Sequence, residues 1–292
     1  MAAGLAVALG AVAVALSARR DLGAGLLPAR LGPATAASRL GSPLALAWRL
    51  HRGLLAGWIA AFVALGVLFG STAEGVGDML RDNPSLRDYA ARTGDQAAIV
   101  DAYLAAVMSL VGLIAAAYAV QATLRLRAEE ASGRAEPVLA TAVGRLRWAV
   151  SHLVFSVLGP TAALATAGLA TGLAYGLGTG ELGRQLPRGL AAAMVQLPAV
   201  WVLAAIAVAL FGLLPRLTLV AWGPLGVCLL LGLVGTAVRL DQWLLDVSPF
   251  THVPRLPGAA VSTTPLVWLV AVTGALGAAG LVGLRRRDIP AT

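Results

Sequence analysis

The sequence predicts an all-α polytopic membrane protein, and three observations predict it. Of 292 residues, 59% are hydrophobic and 12% charged, with a mean hydropathy of +0.82. A soluble domain carries about 25% charged residues, and half that density excludes an ordinary water-soluble globule. It also excludes disorder, which needs low hydrophobicity and high charge. Second, the apolar residues gather into runs near the roughly 20 residues that one helical crossing requires. Third, arginine is unevenly divided between alternate loops.

Seven runs are candidates for spans: residues 2–18, 54–70, 99–124, 148–176, 190–214, 217–238 and 265–284. The first is short and has the weakest claim to cross alone. All are rich in Ala, Gly, Leu and Val, and small residues let helix backbones approach closely where lipid offers no hydrophobic drive to associate. Pro160, Pro198 and Pro224 fall inside spans and predict kinks.

The loops set orientation. Residues 19–52, 125–147, Arg216 and the tail from Arg285 carry 15 arginines against five acids, and the remaining loops carry seven arginines against nine acids. The loops alternate as seven crossings demand. The arginine-rich set is therefore expected inside, with the C-terminus cytoplasmic. The net charge of +8 is read as this bias across a bilayer and not as a nucleic-acid surface. Arg19 and Arg20 follow the first apolar run instead of preceding it, which argues against a signal peptide.

A repeat accounts for that first run. Residues 8–22 and 275–289 align without gaps at seven of 15 positions, sharing Ala-Leu-Gly-Ala at the start and Arg-Arg-Asp at the exit. On this reading residues 1–41 hold the last helix of an upstream half and a cytoplasmic linker, and residues 42–292 form a complete six-helix unit. The alternative is a seven-helix protein with two similar ends.

The segments between spans differ in character. Residues 42–53 begin with Ser42 as a helix cap and Pro43 in the first turn. They form either a short helix lying in the interface, with Trp48 at headgroup depth, or an extension of the next span. Residues 71–98 interleave Asp78, Asp82, Asp88 and Asp95 with Arg81, Arg87 and Arg92, as on a solvated helical face. Residues 125–147 are long for a turn between helices. Gly133 and Gly144 bracket a possible short helix from Pro137. The segment is either a docking surface for a cytoplasmic partner or a pair of helix extensions. Residues 239–264 lie outside yet carry Trp243, Leu244, Leu245, Phe250, Val253 and Leu256, while Pro249, Pro254 and Pro257 forbid one continuous helix. Such a segment is tolerated at membrane depth only when buried in protein. His252 has Asp241 and Asp246 near it in sequence, but is not read as a metal ligand.

Much catalytic chemistry is excluded. All 22 basic residues are arginine, so no Walker A lysine, Schiff-base lysine or Ser-x-x-Lys pair exists. The single cysteine, Cys228, rules out an internal disulfide or a CxxC site. His51, His152 and His252 form no HExxH. No acid falls well inside a span, Asp101 being at the edge of one, which argues against a proton-coupled carrier and against a membrane enzyme. Ser109, Tyr118, Ser151, His152, Thr166 and Gln196 are expected to make interhelical hydrogen bonds. Neither catalytic residues nor metal ligands are assigned.

The run from Arg127 through Glu129, Glu130, Gly133, Arg134 and Glu136, followed by Leu139, Ala140, Arg145, Trp148 and His152, resembles the permease subunits of ABC-2-type exporters. So do the Asp246-Val-Ser248-Pro249-Phe250-Thr251-His252 run and the Arg285-Arg286-Arg287-Asp288 ending. More narrowly, the chain is similar to the second half of actinobacterial permeases that export polyketide antibiotics, the tetronasin-resistance type. The resemblance covers nearly the whole chain, and it departs from the family in holding one helix, not six, before the second unit.

The resemblance implies a six-helix ABC-2 permease unit preceded by one extra helix from an upstream half. It implies an interfacial helix over 42–53, a coupling segment over 125–147 and an external re-entrant segment over 239–264. Glu129, Glu130, Gly133, Arg134, Glu136 and Arg145 would meet the ATPase, and Trp243, Ser248, Pro249, Phe250 and His252 would build the external segment. A dimeric cytoplasmic ATPase would use ATP and magnesium, with no cofactor on this chain. A second permease half would complete the complex in the plasma membrane. The implied function is export of a hydrophobic, antibiotic-like compound. The competing expectations are a non-transporting scaffold, an inactive fragment or, against the missing acids, a secondary carrier.

Overall fold

The computed structural model describes residues 41–82, 96–235, 238 and 240–287, with isolated positions 10, 11, 14, 15 and 35 before them. Most of the upstream unit 1–41, with the span expected at 2–18, and all of residues 83–95 lie outside the described residues. Among the described residues every element is helical. Ser42–Thr292 forms one compact unit.

Helix α1 runs Pro43–Asp82 as 40 continuous residues. Ser42 Oγ accepts from the Ala45 amide at 3.2 Å, which caps it. Helix α2, Gln96–Ala131, ends where Gly133 turns at φ 69°, a conformation glycine adopts without Cβ strain. A five-residue helix α3, Ala135–Leu139, follows. Gly144 then sits in extended backbone and starts α4, Arg145–Thr179, which Gly180 stops at φ 72°. Helices α5, Leu182–Met194, and α6, Leu197–Leu213, are one apolar span broken at Val195 and Gln196. The break immediately precedes Pro198, which lacks the N–H that would continue the helix. A 3₁₀ segment, Pro215–Ala221, leads into α7, Trp222–Val234. Two short turns, α8 at Gln242–Leu245 and a 3₁₀ turn at Pro249–His252, precede α9, Thr263–Arg286.

Among the described residues six stretches are long and apolar enough to cross a membrane: Pro43–Gly77, Ala98–Ala131, Arg145–Thr179, Leu182–Leu213, Pro215–Val234 and Thr263–Arg286. They contain the last six of the seven runs expected from sequence, apart from the ends of the runs at 190–214 and 217–238. One expectation changes form. The interfacial helix over 42–53 is not a separate element, since α1 passes through it unbroken. The reason lies in its inner face: Ala47 and His51 are fully buried against α4, so the segment is held in line with the span. Trp48 stays about half exposed.

Helix α4 is the hub, packed on α1, α2 and α5, while α9 lies along α6. Close approach depends on glycine. A Cβ on Gly66 or Gly70 of α1 would stand 2.5 Å from the Ala167 carbonyl or 2.6 Å from that of Thr171. The core runs through Phe62, Met108, Val111, Leu164, Val200 and Leu203.

Candidate functional site

The arginine-rich end is built from five helix ends. Leu126, Ala135, Trp148, Phe211 and Leu284 form a small apolar cluster there, joining α2, α3, α4, α6 and α9. Charges ring this cluster. Glu129 Oε2 accepts from Arg134 Nε at 2.9 Å, and its Oε1 accepts from Arg134 Nη2 at 3.3 Å. Arg125 approaches the same carboxylate at 3.6 Å. The Glu129 carboxylate pushes the exposed Arg134 guanidinium above its ordinary pKa, chiefly by accepting its hydrogen bonds. Glu130 pairs with Arg127 at 3.5 Å and with Arg287. Arg287 Nη1 donates to the Phe211 carbonyl at 3.0 Å, its guanidinium lies 5.1 Å from the Phe211 ring, and its own carbonyl accepts from Arg145 at 2.6 Å. The turn holding α3 is thereby tied to the last helix.

Glu129 and Glu130 have side chains only 6% and 7% exposed, turned toward the arginines around them. Both brace the segment. Gly133 supplies its turn and Arg145 ties it to Arg287. Glu136 is half-buried. The exposed residues of the segment include Pro137, Ala140, Thr141, Ala142, Leu146 and Arg147, together with Arg134 and Arg145.

The segment expected to be external folds back on the bundle. Ser248 is buried and its Oγ accepts from the Phe250 amide at 3.3 Å, setting the 3₁₀ turn that Pro249 begins. Phe250 and Val253 enter the main core. Thr251 Oγ1 donates to the Ser248 carbonyl at 2.6 Å, and His252 Nδ1 lies 3.0 Å from Thr251 Oγ1. Trp243 points away and is 68% exposed. Of the five residues expected here, Ser248, Pro249, Phe250 and His252 are brought together and Trp243 is not. At the same end, Asp101 pairs with Arg188 of α5 at 2.8 Å.

Sequence reasoning missed one pair. His51 of α1 and His152 of α4 are 101 positions apart, yet His51 Nε2 and His152 Nδ1 meet at 3.1 Å, with both side chains buried. His51 stacks on Phe155 at 4.7 Å and His152 meets Trp148 edge-on at 5.7 Å. His51 Nδ1 has no partner. A stranded N–H is costlier than a stranded lone pair, so the tautomer assigned here has His51 Nε2–H donating to His152 Nδ1. The available signal was that both histidines sit near the arginine-rich ends of their helices.

A sequence model of the C-terminal domain of the multidrug efflux system permease Rv1217c matches residues 40–285. The multidrug efflux system permease protein Rv1217c of Mycobacterium tuberculosis (strain ATCC 25618 / H37Rv) is 45% identical over 284 residues, 97% of this chain and 52% of that protein. The chain thus spans about half the length of this curated relative.

Proposed function

The chain belongs to the family of the Rv1217c multidrug efflux permease C-terminal domain, and from that premise we propose that it is the membrane-spanning unit of an ATP-driven exporter. A separate cytoplasmic ATPase dimer supplies the energy, binding ATP and magnesium. A second permease half, as upstream sequence or another chain, completes the path. The cargo is a hydrophobic, antibiotic-like compound leaving through the plasma membrane, and the unit is of the ABC-2 type with a cytoplasmic C-terminus. Transport of this kind needs no acid or base within the chain, because a partner's hydrolysis cycle switches the bundle between two arrangements.

The observation that carries this reading is the construction of the 125–147 segment. Short helix α3 is held by carboxylates that are consumed internally, and it leaves one compact exposed face. A bracing ion-pair network around a small exposed helix is what a rigid lever requires: force applied at α3 passes to α2, α4 and α9 together. Glu129, Glu130, Gly133, Arg134 and Arg145 are positioning residues in this reading, and Pro137, Thr141, Leu146 and Arg147 make the contact.

The test is purification of the tagged protein from its native membranes with identification of what accompanies it. An ATPase bearing a Walker A motif is the expected companion. Leu146→Glu with Arg147→Glu should lower its recovery at least tenfold with no change in thermal unfolding. Unchanged recovery would remove the docking assignment. A chain that arrives without any ATPase would point instead to a scaffold.

A further inference from the structure

A second feature lies at the opposite flank of the bundle. Helices α6 and α9 pack along one another, but α7 stands off from both, and the segment from Gln242 to His252 roofs the space left between them. The result is a half-open cavity of about 700 Å³. That is within the roughly 300–1,000 Å³ of sites that hold drug-sized molecules. Leu203 of α6 and Leu269 of α9 form its buried floor, and Val227 of α7 and Trp268 of α9 stand on its walls. Among the described residues lining it, one carries a formal negative charge, Asp246, and none is basic apart from His252. Asp246 sits at the roof, where its Oδ1 accepts from Gln242 Nε2 at 2.8 Å. Its second oxygen has no hydrogen bond within the described residues.

We propose that this cavity is a binding site for lipophilic monocations. The apolar walls accept the body of such a molecule, with Trp268 offering an aromatic face, and Asp246 receives its positive charge. Asp246 is exposed at the mouth of the cavity, and its attraction for a cation strengthens as the apolar body of the bound molecule displaces water from beside the carboxylate. The same carboxylate repels an anion of equal shape, so the site selects by charge as well as by size. The proposal takes from the export reading that this chain handles apolar compounds, and adds the place and the charge class.

The test uses the full chain purified in detergent micelles, with rhodamine 6G as the fluorescent probe. Saturable binding is expected, read as anisotropy. Tetraphenylphosphonium and tetraphenylborate, alike in shape and opposite in charge, then compete for it. The cation should compete at least tenfold better. Asp246→Asn should weaken rhodamine binding roughly tenfold, a loss of about 1.4 kcal/mol, and erase the preference. Asp241→Asn, outside the cavity, should change neither. Val227→Trp places its ring in the cavity from a half-exposed position and should abolish binding while thermal unfolding is unchanged. Absent saturable binding, equal competition by the two ions, or normal binding by Val227→Trp would each overturn the site. Because no ATPase enters this assay, the two readings fail separately. A chain that binds as described but recruits no ATPase keeps the site and loses the export reading. A chain that recruits its ATPase but never binds the probe does the reverse.

Discussion

Glu130 and Arg287 show what a charge does at the rim of an apolar bundle. Their side chains are 7% and 15% exposed, so each has given up most of its water. Attraction between them offsets that loss, and removing one partner strands the other. Arg287→Ala should therefore destabilise the folded chain by about 3 kcal/mol, the lower end for breaking a buried pair, because Arg127 still touches Glu130. Thermal unfolding in detergent measures it. A change within error would mean that Glu130 is hydrated in solution. The His51–His152 pair makes a parallel case without a net charge. His152→Leu leaves a donor of His51 unpaired in a fully buried position, a cost of about 1–3 kcal/mol. Replacing both by leucine removes donor and acceptor together. The double variant should lose less than the two single losses added. Simple additivity would show that the hydrogen bond contributes nothing.

Elements in this bundle meet through backbone, not through large side chains. Gly66 and Gly70 let α1 lie on α4 with carbonyls where Cβ atoms would be. Gly66→Val should force the helices apart and cost about 1–3 kcal/mol, the usual range for overpacking. Gly57→Ala, with nothing within 4 Å of the added methyl, should be neutral or slightly stabilising, since alanine favours helix by about 1 kcal/mol over glycine. Equal effects at the two sites, read by thermal unfolding, would mean that the α1–α4 contact loosens in detergent. The contrast also marks how much could be read in the sequence. Run length and hydropathy located six crossings, because lipid demands continuous apolar helix. Gly133 and Gly144 bracketed α3, although it begins at Ala135 and not at the expected Pro137, and Pro198 marked the break in the fourth span. Which glycines face a neighbour was not legible, since Gly57 and Gly66 look alike in an apolar run of uniform composition. The inward turn of Glu129 and Glu130 was hidden for a related reason. A charged loop suggests solvent until its arginines are placed in three dimensions, and Arg287 is 157 positions from Glu130. The His51–His152 pair, 101 positions apart, was hidden in the same way.

The whole molecule has two ends of different chemistry. The start of α1 and α4 and the finish of α2, α6 and α9 share one end, as the packing of Leu126, Trp148, Phe211 and Leu284 and the His51–His152 contact require. That end carries Arg125, Arg127, Arg134, Arg145, Arg147 and Arg287, and the other carries Asp101, Glu181 and the roof formed by α8. Arginine excess is retained on the cytoplasmic face during insertion, so the α3 end should face the cytoplasm and α8 the exterior. The lone cysteine, buried Cys228, makes this directly measurable. In a Cys228→Ser background, Ala142→Cys and Ala259→Cys each place one thiol at an exposed position, at opposite ends. A membrane-impermeant maleimide should label Ala259→Cys on intact cells and Ala142→Cys only after the membrane is opened. The reverse pattern would put α3 outside, out of reach of any cytoplasmic ATPase, and the exporter reading would fall with it. Equal labelling of both on intact cells would mean that the chain does not insert in a single orientation, which neither an exporter nor a one-sided binding site can tolerate.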